Sequence, residues 1–251
     1  MKRILRFFSS VPARSGREKG PLGGPAAVPR EEARVFLLLD LNASTPLAQA
    51  LGNLRYSQFL VRFFATVQEA VRATGGEIYQ YAGDQVLVSW PYPQRAAVLA
   101  GLDCYFRVQR RLAQQKPLFV ADYGCCPAFK AALHGGMVAV TRVGDTLLYH
   151  GDVLNTAARI EETCKQAGQP LLLSAEVVKG VAFPRHYRLV SLQSYLMKGK
   201  HTPVTLYTVF RVEDRPVRAL HFIKPVAGLI GQVRVGFTGL KLLPRLEKHP
   251  L

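Results

Sequence analysis

The clearest pattern in the chain is an unbroken apolar run, Val35 to Leu39, that ends on an acid, Asp40. A run without alternation predicts a strand buried on both faces. Ser44-Thr45-Pro46 then gives a helix-start signal. Between Tyr56 and Thr74 the apolar positions Phe59, Leu60, Phe63, Phe64, Val67 and Val71 recur at helical spacing, and Gly75-Gly76 stops the helix. Two β-prone runs follow, Glu77 to Ala82 and Gln85 to Trp90, joined through Gly83-Asp84 as a two-residue hairpin turn. After Pro91 and Pro93 break the chain, Ala96 to Gln115 reads as a second long helix, with Pro117 to Pro127 as a connection.

Phe129 to Val143 reads as strand, bend, strand around Gly135-Gly136, and Gly144-Asp145 turns it back into Thr146–Tyr149. Asp152 is a good N-cap for a helix reaching about Ala167. Pro170 to Leu173 predicts a buried strand and Ser174 the cap of a short helix; two more strands fit near Tyr187–Leu192 and Val204–Phe210. The fold class is therefore α+β: a ferredoxin-like βαββαβ core with an αβαββ extension. There is no internal repeat.

The ends depart from this pattern. Residues 1–32, rich in Gly, Pro, Ala and Arg, read as a flexible basic lead, 33–211 as one domain, and 212–251 as a basic tail. Of the formal net charge of +16, ten units lie in residues 1–30 and 212–251. The charge is thus mostly a property of the ends, which weakens a nucleic-acid reading; the C-terminal tail could dock on the domain, lie on an anionic membrane surface or stay loose. The four cysteines have neither metal-ligand spacing nor disulfide density, so reduced thiols and a cytoplasmic location are expected, with the tails at the inner face of the membrane. No apolar run is long enough for a transmembrane helix.

Candidate chemistry sits on the strand ends. Asp40 closes one strand and Asp84 tips a hairpin. Two carboxylates so placed can clamp two divalent ions for phosphoryl transfer, whereas alone each would merely cap a helix or make a turn. Asn155 and Arg159, at i and i+4, present an amide and a guanidinium on one helix face, suited to a phosphorus centre on which negative charge builds. Lys198 adds a cation just before a strand, suited to a polyphosphate.

These stretches together, Phe36-Leu-Leu-Leu-Asp40-Leu-Asn-Ala-Ser-Thr45, Gly75-Gly-Glu with Gly83-Asp84, Gly151-Asp-Val-Leu-Asn155-Thr-Ala-Ala-Arg159 and Lys198-Gly-Lys200, resemble the class III nucleotidyl cyclase catalytic domain. The resemblance covers about residues 33–211, with four dispersed motifs in order. It implies that Asp40 and Asp84 bind two Mg²⁺ or Mn²⁺ ions, with the Leu41 carbonyl as a further ligand. It also implies that Asn155 orients the ribose, Arg159 stabilises the transition state and Lys198 holds the terminal phosphates. The implied reaction is attack of the ribose 3′-hydroxyl on the α-phosphate, giving a 3′,5′-cyclic nucleotide and pyrophosphate. In the family the site is shared between two domains packed head to tail, so a homodimer is expected.

Two positions depart from the family pattern. Where a purine-reading Lys or Glu is usual, Gln80 stands, and its usual polar partner is Leu148. Gln80 can donate and accept, so either purine is chemically possible. The favoured expectation is an adenylate cyclase acting on ATP. The alternatives are a guanylate cyclase acting on GTP and a catalytically silent module that binds a nucleotide or only dimerises. An RNA-binding domain of the same strand order is a rival on account of Tyr79 and Tyr81, taken to share one strand face, but its basic-aromatic signature is missing and no nucleic-acid partner is expected. His134 is expected to be a packed or capping histidine, Trp90, Phe63 and Phe64 core, and Arg107, Arg110 and Arg111 a solvated helix face.

Overall fold

A computed structural model describes residues 30–91, 93–144, 146–197 and 202–212. The N-terminal lead, the basic tail beyond Val212 and the predicted phosphate ligand Lys198 lie outside the described residues. The elements in chain order are β1 (Arg30–Leu41), α1 (Ser44–Ala73), β2 (Glu77–Ala82), β3 (Gln85–Pro91), α2 (Gln94–Tyr123), β4 (Phe129–Val143) and β5 (Thr146–His150). They continue with α3 (Asp152–Ala167), β6 (Leu171–Ser174), α4 (Ala175–Val178), β7 (Tyr187–Tyr195) and β8 (Val204–Arg211). One sheet runs β2-β3-β1-β4-β6-β8-β7, with β5 paired to β4. Among its first four strands each neighbouring pair is antiparallel, as the split βαβ arrangement requires, and β4–β6 is a parallel pair.

β1 is central, and its alternation explains the unbroken apolar run. Val35, Leu37 and Leu39 face α1 and α2, in a cluster with Phe59, Phe63, Trp90, Leu102 and Tyr105. Phe36 and Leu38 face the other way, packing with Leu87 on β3, Tyr149 on β5, and Leu154 and Ala158 on α3. Both faces being covered, no polar alternation is left to read. Trp90 and Phe63 are core as predicted, and Phe64 packs against that core half-buried.

Several sequence expectations change in the structure. The second helix does not stop before Pro117; it continues to Tyr123 and closes on Gly124 at φ 75°. A proline costs a helix one hydrogen bond. Here the turn beyond it is held by packing: Phe119 is fully buried, and its ring and that of Tyr123 lie 5.4 and 5.3 Å from Phe59. The first helix begins at Ser44, with Ala43 as its cap, and bends at Gly52. The segments either side of Gly135-Gly136 form one 15-residue strand. Glycine there serves close approach: a Cβ on Gly136 would lie 2.7 Å from a Val153 methyl, and one on Gly135 2.9 Å from the Arg34 carbonyl oxygen.

Neither predicted side-chain cap forms. Asp152 is the first helical residue, Gly151 being the cap, and its carboxylate accepts from the Thr156 hydroxyl instead. Ser174 is the cap residue of α4 without a side-chain bond to it, because its Oγ lies 2.7 Å from Nδ1 of buried His134. Tyr79 and Tyr81 do not share a strand face. The pairing slips between Ile78 and Gln80, so Tyr79 packs with Tyr149 on the α3 side while Tyr81 packs with Phe64 on the α1 side. Two tyrosines on opposite faces make no base-stacking platform. Arg107 pairs with Asp103 and Arg111 with Glu69 on an exposed helix surface.

Candidate active site

Asp40 is the last residue but one of β1, flanked in the sheet by Gln85 on β3 and Lys130 on β4. Ala82 pairs with Gln85, so Gly83-Asp84 forms the two-residue turn that the sequence predicts, with Gly83 at φ 65°. Asp84, one residue before the partner of Asp40, thereby comes to the same end of the sheet. Burial pushes the Asp84 carboxyl above its ordinary range; a hydrogen bond from Ser44 opposes this, and the charge of Asp40 adds to it. Tyr56 joins the group, its hydroxyl held up by burial and by the charge of Asp84.

A third acid stands behind this pair. Lys130 bridges the Asp40 carboxylate and Glu161 on α3. Glu161 is only 1% exposed, and burial, followed by the charge of Asp40, pushes its carboxyl up to about 8. The Lys130 ammonium is held in its charged form by the two carboxylates against the effect of burial. One cation shared between two acids leaves the second acid short of charge balance. With Asp84, three carboxylates face one ammonium.

This donor set fits divalent cations. Carboxylate oxygens such as those of Asp40 and Asp84 are the hard donors that divalent cations prefer, and the Lys130 ammonium rests on Asp40. Among the described residues no three His, Cys, Asp or Glu side chains form a metal cage. Leu41 ends β1, paired with Phe129, and the next residue's Asn42 N–H donates to the Ala128 carbonyl at 2.8 Å.

Asn155 and Arg159 lie one turn apart on α3, both half-buried, while Leu154 and Ala158 turn to the core. Among the described residues no hydrogen bond or ion pair joins either of them to Asp40 or Asp84. Gln80 pairs with Leu87 next to the β2 bulge. Leu148 pairs with Thr141; Leu147 and Tyr149 on either side of it pack into the α3-side cluster, so Leu148 falls on the opposite face of the β4–β5 ribbon.

Lys130 and Glu161 join the candidate site although no motif marks them, and Ser44, read from the sequence as a helix start, bonds to Asp84 there. A signal for Glu161 does exist: Ala157, Glu161 and Cys164 are buried at i, i+4 and i+7, which puts a carboxylate on the apolar stripe of α3. Arg34 is a further buried charge in β1, bonded to Glu32 and Glu77 at 2.8 and 2.6 Å and lying over the Tyr149 ring.

No family model matches the chain. It is 34% identical over 182 residues to Adenylate cyclase 2 of Rhizobium meliloti, which is 71% of this chain and 50% of that protein. Among solved structures it resembles the adenylyl cyclase CyaB of P. aeruginosa, with a TM-score of 0.62 at 18% identity, over 74% of this chain and 98% of that one. It also resembles the guanylate cyclase domain of RhGC from Catenaria anguillulae in complex with GTP, with a TM-score of 0.60 at 17% identity, over 72% of this chain and 98% of that one. The fold is that of adenylyl and guanylyl cyclase domains. With the sequence likeness, the described part of the chain is a class III nucleotidyl cyclase catalytic domain. The chain spans about half the length, or less, of the curated relatives it matches. No helix among the described residues is long and apolar enough to cross a membrane.

Proposed function

We propose that this chain is an adenylate cyclase, converting ATP to 3′,5′-cyclic AMP and pyrophosphate at sites shared between two copies of the domain. The observation that carries the reading is the meeting of Asp40 and Asp84 at one end of β1 and β3, in a fold whose curated relatives are named adenylate cyclases. Asp40 and Asp84, with the Leu41 carbonyl, hold the metal. Two divalent ions bound there supply a lowered pKa for the attacking hydroxyl and neutralise the leaving phosphates. Asn155 orients the ribose so that its 3′-oxygen lies in line with the α-phosphorus. The bond between those atoms forms as the bond to the pyrophosphate oxygen breaks, and the hydroxyl proton is released. Arg159 donates to the non-bridging oxygens as charge gathers on them. Lys198 holds the terminal phosphates.

In a homodimer the acids of one copy face Asn155, Arg159 and Lys198 of the other. Purine choice rests on Gln80, which offers an amide to either base, with Leu148 adding only apolar contact. The basic ends, outside the described residues, give the protein peripheral affinity for anionic lipid at the inner face of the membrane.

The test is cyclic nucleotide production by the purified chain, with ATP and GTP in parallel and Mg²⁺ and Mn²⁺ each tried. Cyclic AMP that disappears in Asp84→Ala supports the proposal. Cyclic GTP in its place moves the specificity to guanine. Turnover of neither nucleotide by a verified dimer overturns catalysis in favour of a binding or dimerisation module.

A further inference from the structure

Glu161 and Lys130 have no part in the chemistry just described, yet they reach its centre. A carboxylate at 1% exposure is costly to bury unless it is paired, and a single lysine pairs it here. That lysine is not spare. It lies directly opposite Asp40 in the β1–β4 register, with its ammonium on the Asp40 carboxylate as well. Asp40 is therefore occupied by an internal cation at the place where a divalent ion would bind.

An incoming ion and the ammonium cannot share the same oxygens without repulsion, so the ammonium needs somewhere to go. Glu161 is that place. It is anchored on α3 between buried Ile160 and the Cys164 turn, so it stays put while the longer lysine side chain pivots. We propose that Lys130 is the built-in counter-cation of the metal site, resting on Asp40 without metal and drawn onto Glu161 when a divalent ion binds. The pair thereby sets the metal affinity of Asp40. Lys130 and Glu161 are on this account positioning residues, acting through Asp40 and touching neither nucleotide nor reacting atoms. The inference rests on the reading of Asp40 and Asp84 as metal ligands.

The test is Mn²⁺ binding to the full chain without nucleotide, followed by the electron paramagnetic resonance of free Mn²⁺. No turnover is needed. Glu161→Gln keeps size and hydrogen-bonding capacity but leaves the ammonium with Asp40 as the one carboxylate it pairs with among the described residues. It should weaken binding about 10- to 100-fold, the range that outer-shell partners command. Adding Lys130→Met to that variant removes the competing cation, and affinity should return to the wild-type value or exceed it. A purely structural pair predicts no such reversal: both variants would bind alike, or the double variant would bind worst, and either result overturns the proposal. Thermal melts of each variant verify folding before titration, and the double variant, with neither charge buried, is expected to fold whatever the single one does. Wild-type protein whose Mn²⁺ binding is unchanged by Asp84→Asn, or that binds none, overturns the metal reading itself. Wild-type binding that needs Asp84, with unaltered affinity in Glu161→Gln, overturns this inference alone.

Discussion

Asp40 and Asp84 are brought together by register: Asp40 pairs with Gln85, and Asp84 is the residue before it at the tip of the β2–β3 turn. Each is expected to be indispensable. Asp40→Asn or Asp84→Asn should lower cyclic nucleotide production by at least about 100-fold, comparable to losing one preorganised charge-stabilising group. Both should leave the thermal midpoint nearly unchanged, and a chelator should silence the wild-type enzyme in the same assay. An Asp84→Asn enzyme that keeps its rate would remove Asp84 from the metal site.

Stability without divalent metal should depend on pH in a direction set by Glu161. Its folded carboxyl titrates at about 8 against an ordinary 4.5, so between those values the folded state keeps a proton that the unfolded state has released. Stability is then greatest below about pH 4.5 for this group and falls as pH rises towards 8, by at most about 1.4 kcal/mol per pH unit. Asp84, also raised, acts with the same sign. Denaturant melts of metal-free protein at several pH values should show this slope. Glu161→Gln should flatten it, and a wild-type profile that rises over the same range would contradict it.

The continuation of α2 through Pro117 makes a pair of stability predictions. Pro117→Ala restores a helix N–H and should stabilise the protein by about 2 kcal/mol, after allowing for the freer unfolded chain. Phe59→Ala removes the fully buried ring between Phe119 and Tyr123 and should cost about 3–5 kcal/mol. Urea unfolding measures both. A destabilised Pro117→Ala would mean that the proline ring, rather than the helix, holds this turn.

A shared site makes inactive chains complementary. Mixing Asp40→Ala with Arg159→Ala should recover about a quarter of the wild-type activity, because half of the dimers are mixed and each keeps one intact site of two. The measurement is cyclic AMP formed after refolding or exchange of the two variants, with mixed dimers verified by differential tags. Absence of recovery in such dimers would place the whole site within one chain.

Much of this domain is legible in the chain because local rules decide it. The unbroken run Val35–Leu39 demands a doubly covered strand, the spacing of Phe59, Phe63 and Val67 demands a helix, and Gly83-Asp84 between two β-prone runs demands a tight turn. These fix the element order, and with it the places of Asp40, Asp84, Asn155 and Arg159. What the sequence could not decide lies in pairing and packing between distant segments. Pro117 is a local stop signal overruled by contacts of Phe119 and Tyr123 with a helix sixty residues away. The bulge at Tyr79 separates two tyrosines that simple alternation would place together. Lys130 reads as one polar residue in a strand, and Glu161 as one acid on a helix, until the β1–β4 register sets Lys130 against Asp40 and α3 lays Glu161 over both. Charge balance at a buried site depends on distances between side chains far apart in sequence, and only the folded chain sets those distances.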